Sequence, residues 1–436
     1  MIRSCQRRSW YLMILLCAAF IVADMSAAAT AQDKTKIVFA YWGTAWSRDH
    51  DIVAAKNRFE ALYPYIEVEL LEIPGSSANF VQQLKIYLAA GMDIDAVTVM
   101  ASMDASFVPF FADLTDLMTR DDIKPSLFLP GSLESLTLGD TIWGLPVSVV
   151  LRGGAYNARM LAEIGFAPPA PLDWTWDTMQ EVAKKGTLYH SANSEPTRYG
   201  MDMVGPPNVF YLYGFGTHAG AMFFDRFVDP TKTAWNTPEA RVAIEFFLSF
   251  YDNKWASLQK GLFQSNKAVF TIDSVPRSTQ WIEERFGHQE IEFIPMPRGP
   301  QKGGFHQGTH AVELLKTSKN KEATWLWMKY LAMSLGEIEA RYKAPQRVDP
   351  HMSALREAAP LYLSISKDLV AKIESWVTIA GHPDNTPRYV VRNGAQITTV
   401  AQAELLAVVN KEQPLESAME RIQQQVQAIL DDAFRQ

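Results

Sequence analysis

The chain has 436 residues, 48% of them hydrophobic and 20% charged, which is too long for one compact core and ordinary for a globular protein. Disordered and fibrous classes are thereby excluded, and two lobes are expected. The net charge is −7, from 41 basic and 48 acidic residues, and no basic cluster is interleaved with aromatics, so a nucleic-acid partner is not expected.

Arg3, Arg7 and Arg8 precede an apolar run, Trp10–Ala23, that Asp24 ends. Its 14 residues are too few to cross a bilayer comfortably. Ala29-Thr30-Ala31 then supplies a small-residue cleavage site, so residues 1–31 read as a signal peptide removed before Gln32. The expected location of the mature protein is the periplasm. Both cysteines, Cys5 and Cys17, fall in this leader, and Leu16 ahead of Cys17 argues against lipidation. A mature chain without cysteine has no disulfides, no Cys-ligated zinc and no thiol catalysis. Loss of three arginines and one aspartate with the leader takes the net charge to −9.

In chain order, "KIVFAY" (Lys36–Tyr41) predicts a buried strand ending in "WGTAWS". Ile52, Ala55, Phe59 and Leu62 recur at helical spacing until Pro64. "IEVEL" (Ile66–Leu70) alternates as a half-exposed strand does. Phe80, Leu84 and Leu88 mark a second helix, closed by Gly91 where a left-handed residue is needed. "IDAVTVM" (Ile94–Met100) is a third strand. This alternation predicts an open, mainly parallel α/β sheet, and such sheets bind ligands beyond the carboxyl ends of their strands. Trp42–Trp46 and Ser102–Asp104 stand at those ends. Further on, Thr175 is a candidate N-cap for the helix opening at Trp176. "RVAIEFFLSFYDN" predicts an apolar helix, and "KAVFTID" and "IEFIPMP" predict strands. Trp325, Met328 and Leu331 line a later helix face, and an amphipathic helix follows Pro414.

Catalytic signatures are absent: there is no G-x-S-x-G elbow, phosphate-binding loop, H-E-x-x-H or calcium loop. "GFGTHAG" (Gly214–Gly220) departs from a dinucleotide loop by one residue and reads as a turn. His306 and His310 sit in "GGFHQGTH", read as a glycine-rich loop that carries surface or ligand-contact histidines rather than a metal pair. No metal or cofactor is expected. A glycosidase-type carboxylate pair meets only in the fold, and nothing in the sequence singles one out. What is enriched is aromatic surface near strand ends and turns: Trp42, Trp46, Trp143, Trp174 and Trp176. Such faces stack on sugar C–H surfaces, although core packing is the better expectation for any single tryptophan.

The order of motifs resembles extracellular solute-binding protein family 1, the maltose-binding-protein-like receptors of ABC-type importers. The stretches that carry the resemblance are "IVFAYWG", "FEALYPYIEVEL", "DTIWGLPVSVVLRGGAYN", "WTWDTM", "NKAVFTIDS", "IEFIPMPRGPQKGG", "SKNKEATWLWMKYLA" and "LESAMERIQQQVQAIL". The resemblance implies an α/β, two-lobe periplasmic binding-protein fold with the ligand cleft between the lobes. One lobe takes residues 33–150 and 306–348, the other 151–305 and 349–436. It implies no enzyme, but capture of a sugar or oligosaccharide for an ABC permease in the inner membrane, by a monomer without cofactor. A secreted carbohydrate-active enzyme and a periplasmic sensor input are the alternatives. "GLPVS" followed by "YN" marks a crossover between lobes, with Gly153 and Gly154 as hinge or, alternatively, as part of a bulged strand. Arg152 there reaches either the ligand or a structural carboxylate. Many relatives carry an acidic residue near Val150 and a glutamate at Thr178. Where many relatives have Gly-Pro-Trp, this chain has "SVPRS", so Arg277 replaces a stacking ring. The expected ligand contacts are Trp42, Trp46, Ser102, Asp104, Arg152, Trp176, Arg277, Gly308, Thr309 and Arg347.

Overall fold

A computed structural model describes residues 34–43, 51–100, 104–168, 173–191, 194–274, 279–286, 290–304, 306–344, 351–370 and 372–435. The strands in chain order are β1 (Thr35–Trp42), β2 (Ile66–Ile73), β3 (Ala96–Met100), β4 (Thr137–Leu138), β5 (Thr141–Ile142), β6 (Leu145–Val150) and β7 (Gly153–Asn157). They continue with β8 (Leu188–Tyr189), β9 (Pro196–Asp202), β10 (Ala268–Ser274), β11 (Ile291–Ile294), β12 (His306–Leu314), β13 (Met352–Ser353) and β14 (Thr386–Pro387).

Two sheets organise the chain. The first runs β13-β6-β12-β3-β1-β2, with β14 joined to the start of β12. Here β1 pairs in parallel with both β2 and β3, as strand–helix–strand alternation requires, while β12 runs antiparallel between β3 and β6. The helix Ile52–Leu62 buries Ile52, Ala55 and Phe59, three of the four residues that its sequence spacing marks, while Leu62 at its end is 63% exposed. The helix Ser77–Ala89 is followed by Gly91 at φ +68, the left-handed residue expected there. Trp325, Trp327, Met328 and Leu331 of the helix Lys321–Met333 are fully buried, and Trp327 meets Phe39 and Phe59 edge-on. Each such side chain contributes about 1.5–3 kcal/mol by leaving water.

The second sheet runs β11-β7-β10-β9-β8, with β7 antiparallel to both neighbours. Pro295 ends β11, because a proline has no N–H to continue a ladder. Thr175 caps the helix Trp176–Gly186 by accepting from the Thr178 N–H at 3.3 Å. Thr178 supplies no carboxylate for a reciprocal bond, and its hydroxyl lies 3.1 Å from that of Thr175. A separate core here combines Phe215, Phe246 and Phe247 with Ile422 and Val426 of the C-terminal helix Leu415–Ala433. Met352 and Ser353 pair with Val149 and Ser148, so the first sheet continues past residue 348, where the sequence put the boundary.

Two loops expected from sequence are regular structure instead. Gly214 and Gly216 lie inside the helix Val209–His218, and the Phe223 ring fills the space where a Gly216 side chain would stand, 2.3 Å from its Cβ position. The turn falls later, at Gly220 (φ +83). "HQGTH" is likewise not loop but the buried start of β12.

Candidate functional site

The chain passes between the two sheets at adjoining places. Leu151 and Arg152 alone link β6 to β7, and residues 295–305 link β11 to β12. A third segment, Thr386–Arg392, runs beside the start of β12: β14 pairs His306 with Thr386, and the Arg388 N–H donates to the Gln307 carbonyl at 3.0 Å. Val150, the last residue of β6, pairs with Gly308. These links bring together side chains from distant parts of the sequence.

At their meeting point stands Phe210, partly exposed, in the first turn of the helix Val209–His218. Asn208 caps that turn by accepting from the Phe210 N–H at 3.0 Å. The Arg388 guanidinium lies over the Phe210 ring at 4.0 Å from its centroid, and that of Arg152 at 5.3 Å. Gly308 makes room for Arg388: a Cβ there would stand 3.0 Å from Arg388 Cδ. Burial, with Arg152 beside it, pulls the Arg388 guanidinium down to about 9. Behind it, the Tyr389 N–H donates to His306 Nε2 at 3.1 Å, so His306 is a neutral acceptor. Burial, reinforced by Arg388, holds its pKa well below the usual histidine range.

The expected site residues divide. Arg152 stands over the Phe210 ring at 5.3 Å, and Gly308 lies against the Arg388 side chain. Trp42 is partly buried at the carboxyl end of β1, where its Nε1 donates to the Gly75 carbonyl at 2.8 Å. Asp104 has both oxygens engaged, one accepting from the Ser106 N–H at 2.9 Å and the other from Lys85 Nζ at 2.7 Å. Trp176 is corrected to a core residue: it is 7% exposed, and Phe246 covers its face at 3.8 Å with planes 10° apart. Trp143 and Trp174 are core residues too, each 2% exposed. Thr309 is corrected likewise, since it is fully buried and its hydroxyl donates to the Ser132 carbonyl at 3.3 Å. His306 and His310, four residues apart on one strand, stand roughly 13 Å from each other, too far to share a metal. Trp46, Ser102, Arg277 and Arg347 lie outside the described residues.

Gly153 and Gly154 are both inside β7, directly after the two-residue link. Neither has a positive φ. Their lack of side chains serves close packing: a Cβ on Gly153 would meet the Ile294 carbonyl oxygen at 2.8 Å, and one on Gly154 would meet Phe270 Cζ at 2.1 Å.

Residues 47–333 match the family described as bacterial extracellular solute-binding protein. The chain belongs to that family. Among curated relatives, this solute-binding protein is 24% identical over 287 residues to the melibiose/raffinose/stachyose-binding protein MelE of Bacillus subtilis. The match takes 64% of this chain and spans only 60% of the relative's length. Among solved structures it resembles the sugar-binding protein MalE of Xanthomonas citri, with TM-score 0.73 and 18% identity over 91% of this chain and 98% of that one. It also resembles an ABC substrate-binding protein of Listeria monocytogenes in complex with cycloalternan, with TM-score 0.68 and 19% identity over 92% and 100% of the two chains. These likenesses show the fold, the two-lobe arrangement of periplasmic binding proteins. Among the described residues no helix is long and apolar enough to cross a membrane.

Sequence reasoning missed Phe210 and Arg388 in this solute-binding protein. Phe210, two residues after the Asn208 cap, carried no signal that set it apart from the fully buried Val209 before it. Arg388 carried none, because its significance lies in what the other crossings bring to it.

Proposed function

We propose that this protein is the periplasmic capture subunit of an ABC-type importer, which binds a sugar or oligosaccharide between its lobes and presents it to an inner-membrane permease. It acts without covalent chemistry, after removal of its leader near Ala31. The observation that carries the reading is the meeting of the chain crossings around a partly exposed aromatic ring and two arginines. Family membership and the sugar ligands named for the Bacillus, Xanthomonas and Listeria proteins support it. Arg152, Trp42 and the Trp46 that follows β1 are the proposed contacts carried forward from the sequence. The proposed hinge is the crossing at Leu151-Arg152 with Gly153-Gly154 behind it, since a two-residue link between sheets concentrates any bending.

The test is a thermal-shift screen of the mature chain against a broad solute library that includes melibiose, raffinose and stachyose. A ligand at 100 times its dissociation constant stabilises by about 2.7 kcal/mol. Solution scattering then follows compaction on ligand addition. The reading fails if no solute raises the melting temperature, or if the purified protein releases reducing sugar from an oligosaccharide.

A further inference from the structure

Arg388 owes its direction to the backbone on either side of it. Its own N–H donates to the Gln307 carbonyl at 3.0 Å, and the next N–H, that of Tyr389, donates to His306 Nε2 at 3.1 Å. These two N–H groups belong to the two peptide planes that meet at the Arg388 Cα. Holding both planes sets the direction of the Cα–Cβ bond, because each residue has only two soft backbone dihedrals. The first bond continues from the β14 pairing, which ends at Pro387 opposite Gln307. The second lies past that end, and there a side chain supplies the acceptor.

The imidazole is itself firmly held. His306 is 1% exposed, and the ring centroids of Tyr389, Tyr213 and Phe227 lie 4.9, 6.0 and 6.1 Å from its own. Since Nε2 accepts, the ring proton sits on Nδ1, and burial keeps a second proton off. Tyr389 is 6% exposed, so water has little access to its N–H, and a buried N–H without an acceptor is costly. Gly308 closes the other side of Arg388, where a Cβ would stand 3.0 Å from Arg388 Cδ. Between these supports the guanidinium is laid over Phe210 at 4.0 Å from the ring centroid, where the crossings meet. Its N–H groups are donors in a fixed plane, and the hydroxyl oxygens of a sugar are acceptors.

Resting on the capture function proposed above, we infer that Arg388 donates to hydroxyls of the sugar and that His306 is the positioning residue that aims it, acting through the Tyr389 N–H. His306, being buried, does not itself touch the solute.

Isothermal titration of the mature chain with melibiose, raffinose and stachyose tests this. His306→Leu, which removes the acceptor, is expected to weaken the tightest-bound of the three by about tenfold. His306→Gln, whose amide oxygen reaches as far as Nε2, is expected to stay within about threefold of the parent. Arg388→Gln is expected to lose at least as much affinity as His306→Leu. Should His306→Leu fail to fold, His306→Asn takes its place, since its shorter side chain leaves the Tyr389 N–H unmet. Equal affinity of His306→Leu and the parent would overturn the inference. So would an equal loss in His306→Leu and His306→Gln, or an Arg388→Gln variant that binds like the parent. Each of these results leaves solute capture intact. Failure of all three sugars to bind the parent would remove the capture of such sugars, and this inference with it.

Discussion

Gly154→Ala tests how the β7 glycines act. The added Cβ would stand 2.1 Å from Phe270 Cζ and 2.9 Å from Cε1, roughly 1.5 Å inside ordinary carbon contact. The ring has little room to retreat. Phe270 is 1% exposed and packs on Trp174 at 4.8 Å, and Trp174 is itself anchored by its Nε1 donating to the Pro295 carbonyl at 2.8 Å. Overpacking of this kind costs about 1–3 kcal/mol. Against it stands a gain of about 0.4–1 kcal/mol from stiffening the unfolded chain, since Gly154 has no positive φ. The net expectation is a loss of about 1–2 kcal/mol in urea unfolding followed by tryptophan fluorescence. Phe270→Leu makes room at the same spot, so the double variant should lose less than the sum of the singles by about 1–2 kcal/mol. An unchanged urea midpoint for Gly154→Ala refutes the packing argument. If ligand affinity moved instead, the residue would be a hinge pure and simple.

Two further predictions concern stability. His218 is fully buried with Nε2 2.7 Å from the Gly304 carbonyl, and burial outweighs that bond to pull its pKa to about 4. Because the unfolded chain takes up this proton near 6.5, the contribution is complete above that pH and is lost as pH falls toward 4. About 3 kcal/mol goes in all, about 2 of it by pH 5, so urea midpoints should drop from pH 7 to pH 5 and drop less in His218→Gln. Buried His306 and His310 act in the same direction. Glu337, 1% exposed, binds Arg58 with both oxygens and accepts from Tyr330 at 2.7 Å, with Arg341 at 3.8 Å. Glu337→Ala leaves Arg341 buried without a carboxylate and should cost about 3–5 kcal/mol in the same assay, and an effect below 1 kcal/mol would mean that the cluster is dispensable.

The elements legible in the sequence were those whose local chemistry and burial agree. Ile52, Ala55 and Phe59 mark a helix face and are buried on it, and Pro295 stops a strand that does stop there. Misreadings arose where tertiary packing overrode local preference. Gly214 and Gly216 look like turn residues, yet a ring from outside the helix needs the Gly216 space. "HQGTH" looks like loop, yet strands on both sides pair with it. Trp176 shows the limit for site residues. Its place near a turn suggested aromatic surface, but only the fold reveals Phe246 against its face. Arg152 drew notice in the sequence because it interrupts an apolar run. Arg388 and Phe210 were not, because their meaning depends on each other.

The way the crossings are fastened together also bears on how the lobes can move. Gly304 has φ +80, and a Cβ there would lie 2.4 Å from the Asp384 backbone, so the second segment runs in direct contact with the chain that leads into the third. They are further tied by Arg388 N–H to the Gln307 carbonyl, by Tyr389 N–H to His306, and by the Asn385 side chain, which donates to Gln307 Oε1 at 3.1 Å. The first segment joins them through the pairing of Val150 with Gly308. A movement that bends the chain at one crossing therefore has to carry the others with it. The two-residue link at Leu151-Arg152 belongs to neither β6 nor β7, and Arg152 is in that link. Arg388 stands among the segments tied by these bonds, and Arg152 on the link between β6 and β7. Bending at that link changes where Arg152 stands relative to Arg388 and the Phe210 ring.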